Sequence, residues 1–212
     1  MVGWAIGIRA RRAIAASISV TLLGLALDTL RAAAHSGHSH WNTDATRQAA
    51  QAGDFGGPFT LTDQNGSKVS DTAFRGKLML VYFGYTSCKD ICPVDVQNMA
   101  TAVDQLGQRG DEVAPIFITL DPDRDTPARL KAFLEPVQPR FVGLTGTVDE
   151  IDAVAALYRV EFERMEDASP EDYIVGHPGL IYVMGCSGEF LTLIPPLTDG
   201  ETMAEEIVKL MK

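Results

Sequence analysis

The stretch that decides the fold is Val81–Pro93, with the sequence VYFGYTSCKDICP. It begins as an apolar run typical of a buried strand and then reaches two cysteines, Cys88 and Cys92, four residues apart. Pro93 favours a helix start here. Proline has no N–H group, and the N–H groups in the first turn of a helix have no partner within the helix anyway. If Cys92 lies in that turn, the helix dipole should lower its pKa and favour the thiolate, the form that binds metals and attacks disulfides. The sequence therefore predicts a functional dithiol.

The regions on either side of this stretch predict alternating strands and helices. An Asn-Gly turn at Asn65 predicts a leading hairpin, and continuous apolar runs predict two buried strands. The predicted elements are a hairpin in 59–69, strands at 78–83, 113–120, 139–144, 180–184 and 190–194, and helices at 94–106, from 127, 148–157 and 201–211. An exposed strand at 158–164 and an acidic loop at 165–172 lie between them. This order predicts the α/β class, as a thioredoxin-like fold with an N-terminal β-hairpin extension and an inserted helix.

Residues 1–34 have the pattern of an export leader or membrane anchor. Three arginines at 9, 11 and 12 precede the uncharged run Ala13–Leu27, and small residues follow at Ala32–Ala34. The run is shorter than the ~20 residues that span a bilayer, which favours cleavage, although an uncleaved anchor stays open. Either form places the rest of the chain outside the cytoplasm, at the periplasmic face of the inner membrane.

Residues 35–53 are predicted to form a flexible linker. It contains His35, His38 and His40, which are three of the four histidines in the chain. Imidazoles so closely spaced can bind Cu(II), Ni(II) or Zn(II), and they would then form an accessory metal site. The alternative is a solvated tail without metal. The remaining residues, 54–212, are predicted to form the main domain.

Charge and cysteine count restrict the function further. The net charge is −10, and an acidic chain is unsuited to nucleic acid, whose phosphates require a basic face. Three cysteines in an oxidising compartment leave at least one without an internal partner. A structural Cys88–Cys92 disulfide with Cys186 buried is one interpretation, but so small a loop gives little entropic stabilisation. A functional dithiol is therefore the preferred interpretation.

Several motifs resemble the Sco/SenC family of thioredoxin-fold copper chaperones of cytochrome c oxidase assembly. The resemblance covers residues 54 to 211. The residues that carry it are Gly57-Pro58-Phe59 with Leu61-Thr62-Asp63, Tyr82 to Cys88, Asp90-Ile91-Cys92-Pro93, Asp121-Pro122 with Arg124-Asp125-Thr126-Pro127, Val142 to Gly146, and His177.

The resemblance implies that Cys88, Cys92 and His177 are the ligands of one copper ion. Two thiolates suit Cu(I), and an added imidazole allows the same site to hold Cu(II). The implied partners are the copper-site subunit of cytochrome c oxidase and other copper chaperones or thiol reductants. Association with the membrane through the N-terminal segment is also usual in the family.

The sequence departs from the family pattern at Lys89, Gly176 and Pro178. The family usually has proline at the position of Lys89, aspartate at that of Gly176 and serine at that of Pro178. Pro178 stands where thioredoxins have a proline that faces their dithiol, so a thiol-disulfide oxidoreductase acting through Cys88 and Cys92 is the alternative function. A non-catalytic metal buffer that uses the histidine tail is a further alternative.

Overall fold

A computed structural model of the protein describes residues 55–169 and 172–211. Short 3-10 turns lie at Asp71–Phe74 and Gly107–Glu112. The strands are β1 (Thr60–Asp63), β2 (Lys68–Ser70), β3 (Leu78–Gly84), β4 (Val113–Thr119), β5 (Val142–Thr145), β6 (Glu163–Ser169), β7 (Asp172–Gly176), β8 (Ile181–Met184) and β9 (Phe190–Ile194). The helices are α1 (Ile91–Gln105), α2 (Pro127–Leu134), α3 (Val148–Leu157) and α4 (Gly200–Leu210).

Seven of the strands form one mixed sheet in the order β2-β1-β5-β4-β3-β8-β9. The three central strands β5, β4 and β3 are parallel to one another. Strands β1 and β8 pair antiparallel to β5 and β3, and the edge strands β2 and β9 pair antiparallel to β1 and β8. Every residue of β3 and β4 is buried, as their continuous apolar runs predict for strands covered on both faces. The sheet with its helices confirms the predicted thioredoxin-like fold and the leading hairpin, which is β1–β2.

Local sequence explains where the helices begin. Thr126 caps α2 by accepting a hydrogen bond from the Arg129 amide, and Pro127 is its first residue. Thr147 and Glu150 form a reciprocal capping box at the start of α3. The helix α1 begins at Ile91, three residues earlier than predicted, so that the proline after Cys92 lies within its first turn rather than at its first position.

The β6–β7 hairpin corrects two sequence predictions. Residues 158–162 are not a strand, and the predicted acidic loop at 165–172 is largely strand. The hairpin forms a two-stranded sheet of its own, with Met165 opposite Ile174. The acidic sequence of β6 has little intrinsic strand preference, so sequence pattern alone did not predict it.

The predictions for residues 1–53 lie outside the described part of the chain. They comprise the leader or anchor, the linker and the accessory histidines His35, His38 and His40. They stay predictions, as do the domain boundaries. Within residues 55–169 and 172–211, no helix has the length and apolar character needed to cross a membrane.

Candidate metal centre

Three side chains that the sequence singles out meet at one end of the central sheet. Cys88 lies in the loop after β3, Cys92 in the first turn of α1, and His177 between β7 and β8. Strand β8 runs antiparallel to β3, so its start lies beside the end of β3, where Ile181 pairs with Tyr82. The Sγ of Cys92 and the Nε2 of His177 are 3.5 Å apart. The fold thus brings into contact two residues separated by 85 positions in the sequence.

These side chains border a pocket of about 770 Å³. The loop Tyr85–Cys92 lines one side of it and Tyr173–His177 the other. Cys88 is partly exposed to the pocket, whereas Cys92 is completely buried. An approaching molecule would therefore meet Cys88 first.

The loop that carries Cys88 is anchored by the start of α2. The completely buried carboxylate of Asp125 accepts hydrogen bonds from the amide of Thr86 at 2.9 Å and from the hydroxyl of Thr119 at 2.7 Å. Arg129 donates to the hydroxyl of Thr86 at 2.8 Å and to that of Ser87 at 2.7 Å. Hydrogen bonds to charged groups are among the stronger ones in proteins, so the backbone before Cys88 is held firmly.

Cys88 is the thiolate of the pair. A hydrogen bond from the Cys92 thiol, together with hydrogen bonds from the N–H groups of Asp90, Cys92 and Ile91, lowers the pKa of Cys88 to about 5. Cys88 is therefore ionised at neutral pH, and it is both a better metal ligand and a better nucleophile than an ordinary thiol.

Cys92 behaves in the opposite way, so the sequence-based prediction of its pKa was wrong. It does lie in the first turn of α1. Its hydrogen bond to the Cys88 thiolate and its burial nevertheless raise the pKa of Cys92 far above the usual range. The N–H groups at the helix start point at Cys88 instead. Cys92 is thus a neutral thiol in the absence of metal.

His177 presents a free lone pair to Cys92. Its Nδ1 lies 3.0 Å from the carbonyl oxygen of Pro178. Because a carbonyl can only accept, Nδ1 carries the proton, and Nε2 is left as an acceptor directed at the Cys92 sulfur. Burial lowers the pKa of His177, so the imidazole is neutral at neutral pH. The rings of Tyr82 and Tyr85 meet it edge-on.

The residue before His177 is a glycine where the family usually has aspartate. A Cβ atom at Gly176 would lie 2.7 Å from the terminal methyl of Met165, an exposed and flexible side chain that can move aside, so this contact does not require glycine. The Pro178 carbonyl orients the imidazole, which is the role that a neighbouring carboxylate plays in many metal sites. The imidazole is therefore oriented by the backbone, although no aspartate is present at position 176.

Sequence reasoning missed two buried polar groups beneath the dithiol. Within the described residues, the Tyr82 hydroxyl and the Oδ2 of Asp95 are buried without a hydrogen-bond partner. Burial raises the pKa of Asp95, and its Oδ1 accepts a hydrogen bond from the Leu197 amide at 2.7 Å. Asp95 follows Cys92 by one helical turn, a spacing that could have drawn attention to it.

All three cysteines are free thiols, and Cys186 is far from the other two. Cys186 follows β8 and accepts a hydrogen bond from the amide of Gly76, which precedes β3. Since β3 has seven residues at ~3.3 Å each, roughly 20 Å of strand separates this end from the Cys88 end. The less favoured interpretation, a structural Cys88–Cys92 disulfide with Cys186 buried, does not fit, because Cys186 is exposed.

The thiols and the imidazole do not yet form a closed metal site. In the described ranges, no group of three or more Cys, His, Asp or Glu side chains has the arrangement needed to hold a metal ion. Cys92 and His177 are in contact, and Cys88 is hydrogen-bonded to Cys92. The class of protein that these features define is a thioredoxin-like protein in which a histidine faces the cysteine pair.

Comparison with known proteins gives the family. The sequence model of the SCO1/SenC family matches residues 47–212, and the chain belongs to that family. Protein sco1 of Schizosaccharomyces pombe is 40% identical over 155 residues, which are 72% of this chain and 59% of that protein. The chain thus spans little more than half the length of that relative.

Solved structures agree with the sequence comparison. ScoI of Bradyrhizobium japonicum with copper bound is 38% identical with a TM-score of 0.70, and the match covers 74% of this chain and 99% of that one. BsSco, a member of the Sco family of cytochrome c oxidase assembly proteins in which a disulfide switch was identified, is 25% identical with a TM-score of 0.60. That match covers 76% of this chain and 96% of BsSco.

Proposed function

We propose that this protein is a metallochaperone that binds one copper ion through Cys88, Cys92 and His177. It delivers the copper to the dinuclear copper site of cytochrome c oxidase during assembly of that enzyme. The observation that carries the proposal is the contact between the Cys92 sulfur and the His177 Nε2 at 3.5 Å, beside the thiolate of Cys88. Two sulfurs suit Cu(I), and the imidazole extends the site to Cu(II).

The protonation states of the three residues support copper as the cargo. The Cys92 thiol lies within hydrogen-bonding reach of two acceptors, the Cys88 thiolate and the Nε2 of His177. A copper ion that replaces the proton of this thiol has all three donor atoms as neighbours. Cys88 borders an open pocket, so its side chain has room to turn towards the metal. Binding costs only one proton, because Cys88 is already a thiolate and His177 is neutral.

A copper titration of the reduced full chain tests this proposal. We expect one tightly bound Cu(I) per chain, and we expect a Cys88→Ser, Cys92→Ser double variant to lose it. Cys186→Ser is the matched control, because this thiol lies at the opposite end of the sheet, and it should keep the copper. Zinc is the competing ion for such ligands and should be tested alongside. Unchanged copper content in the double variant would sink the proposal.

A Cu(II) titration of the same chain separates the chaperone from a metal buffer. Cu(II) that is lost only when His35, His38 and His40 are replaced would identify the histidine tail as an independent accessory site. Binding at the tail alone would favour the buffer. The Cys92–His177 contact favours the main domain as the principal site.

The proposed partner is the copper-site subunit of cytochrome c oxidase, with other copper chaperones or thiol reductants acting before it. The description of BsSco as a member of a family of oxidase assembly proteins supports this assignment. The proposed location is the periplasmic face of the inner membrane, reached or held through residues 1–34. Transfer of copper from the loaded chain to the isolated copper domain of that subunit is the direct test.

A thiol-disulfide oxidoreductase activity is the second candidate. The low pKa of Cys88, its exposure and the buried thiol of Cys92 favour it. The Cys88 thiolate would attack a substrate disulfide and release one substrate thiol. Cys92 would then lose its proton and displace the second, so that two electrons pass to the substrate and Cys88–Cys92 becomes a disulfide. A Cys92→Ser variant should accumulate the mixed disulfide at Cys88, and its absence would argue against this activity.

A further inference from the structure

His177 is carried by an element that is not part of the main sheet. It follows directly after β7, and β6 and β7 pair only with each other among the described strands. A two-stranded hairpin is marginally stable by itself in water, so it depends on contacts with the rest of the protein. The position of the imidazole therefore depends on how this hairpin is attached.

Four residues, which we call the Tyr173 clamp, make the polar part of that attachment, alongside the buried side chain of Val175: Asp121, Arg124, Arg164 and Tyr173. The ring of Tyr173 lies between two guanidinium groups, with the Arg124 Cζ 3.6 Å and the Arg164 Cζ 4.3 Å from its centroid. The Tyr173 hydroxyl donates to Oδ1 of Asp121 at 2.5 Å. Arg124 also donates to the carbonyl oxygen of Tyr173 at 3.1 Å. One side chain of β7 is thus held by hydrogen bonds and by cation–π contacts at once.

The clamp joins both strands of the hairpin to the loop after β4. Asp121 is completely buried and is hydrogen-bonded to Arg124 through its other oxygen. Arg164, which belongs to β6, donates to Asp123 at 2.9 Å. The loop after β4 contains the completely buried side chains of Asp121 and Asp125, so it provides an attachment point in the interior for a hairpin that does not pair with the main sheet.

We propose that the Tyr173 clamp is a positioning device that holds His177 against the dithiol and thereby determines whether the site can bind Cu(II). Tyr173 lies on β7 only four residues before His177, and the strand leads directly into the histidine. Displacement of Tyr173 would therefore displace the imidazole as well. The proposal rests on the copper-binding function proposed above and assigns the clamp a role within that site.

The two copper oxidation states respond differently to such a displacement. Two thiolates suffice for Cu(I), whereas Cu(II) prefers nitrogen in its ligand set. Loss of the clamp should therefore weaken Cu(II) binding and leave Cu(I) binding nearly unchanged. A residue that only stabilised the fold would affect both ions together.

The test uses the full chain with the tail histidines replaced in every sample (His35→Ala, His38→Ala and His40→Ala). The measured copper binding then comes from the main site and not from the tail histidines. We expect Tyr173→Ala to lower Cu(II) affinity by about tenfold or more, the range typical when support of a metal ligand is lost, with Cu(I) affinity within about twofold. Tyr173→Phe keeps the ring between the two arginines and should have a smaller effect. The Cu(II) spectrum of Tyr173→Ala should show loss of the imidazole nitrogen.

Arg164→Gln and Arg140→Gln form a matched pair. Each arginine is exposed and ion-paired at 2.9 Å with an exposed aspartate, but Arg140 pairs with Asp111, away from the hairpin. Arg164→Gln should weaken Cu(II) binding, and Arg140→Gln should not. An equal loss of Cu(I) and Cu(II) in Tyr173→Ala, or unchanged binding of both, would overturn the proposal.

Hydrogen exchange of the metal-free protein separates this proposal from the copper proposal. The amides of 174–177 should exchange faster in Tyr173→Ala than in the parent chain, with the amides of β3 and β4 unchanged. If the parent chain bound no copper, the proposed function would be wrong. Faster exchange of the 174–177 amides in Tyr173→Ala would still show that Tyr173 holds the hairpin in place. Unchanged exchange at 174–177 would show that Tyr173 does not hold the hairpin and would overturn the clamp itself.

Discussion

The two cysteines have different chemical states, although each lies in the same short motif. Cys88 receives hydrogen bonds from the Cys92 thiol and from three backbone N–H groups, and this lowers its pKa to about 5. Cys92 is buried and retains its proton. The exposed thiolate can make the first contact with an incoming ion or disulfide, and the buried thiol can complete the reaction.

The first prediction at this scale concerns the reactivity of Cys88. Alkylation by iodoacetamide, followed in a Cys186→Ser chain, should depend on pH with a midpoint near the Cys88 pKa of about 5. Because the hydrogen bond from Cys92 is the largest cause of the lowered pKa, Cys92→Ala should move the midpoint upward. A midpoint in the ordinary thiol range, about 8.5, for the parent chain would contradict this assignment.

At the scale of elements, α1 is joined to the loop before α4 by Asp95. Its Oδ1 accepts a hydrogen bond from the Leu197 amide at 2.7 Å, and Leu197 has a backbone φ of +61°, which is unusual for a residue other than glycine. Asp95 and Pro196 lie next to Gly179, which lines the pocket two residues after His177. This contact therefore supports the segment that follows His177.

The second prediction concerns the charge of Asp95. Burial raises its pKa, so the folded state favours the protonated carboxyl. This favourable effect is fully present below the unfolded pKa and is lost as the pH rises through the higher folded pKa. Asp95→Asn keeps an acceptor for Leu197 without the charge. Its free energy of unfolding should therefore exceed that of the parent chain at neutral pH, with the difference shrinking as the pH falls.

Urea unfolding at several pH values measures that difference, and Asp95→Ala provides the control. It removes the acceptor from the Leu197 amide, and we expect it to destabilise the protein by roughly 1–3 kcal/mol. A difference between Asp95→Asn and the parent chain that stays constant with pH would show that the charge of Asp95 does not affect stability.

The elements differ in how far sequence predicts them. The strands β3 and β4 were predicted from continuous apolar runs, because burial on both faces leaves a clear pattern. The hairpin β6–β7 was missed because its attachment depends on contacts of Tyr173 with Arg124 and Asp121, which are 49 and 52 residues away in sequence. The pKa order of the cysteines was missed for a similar reason. Spacing placed Cys92 in the helix, but its complete burial follows only from the packed fold.

At the scale of the whole molecule, the sheet separates two kinds of cysteine. The proposed copper ligands lie at the carboxyl end of β3, and Cys186 lies at the other end, beside Gly76. Cys186 therefore cannot exchange with Cys88 or Cys92 within one chain, and it can react only between chains. The proposed copper site is thereby separated from the third thiol within one chain.

The central claim is that one copper ion is held by both cysteines and His177. X-ray absorption at the copper edge of the Cu(II)-loaded chain, with the tail histidines replaced, tests it most directly. We expect two sulfur ligands and one imidazole nitrogen, with the imidazole lost in His177→Ala and both sulfurs lost in Cys88→Ser, Cys92→Ser. A copper ion with only nitrogen and oxygen ligands in the parent chain, or the same spectrum in all three proteins, would contradict it.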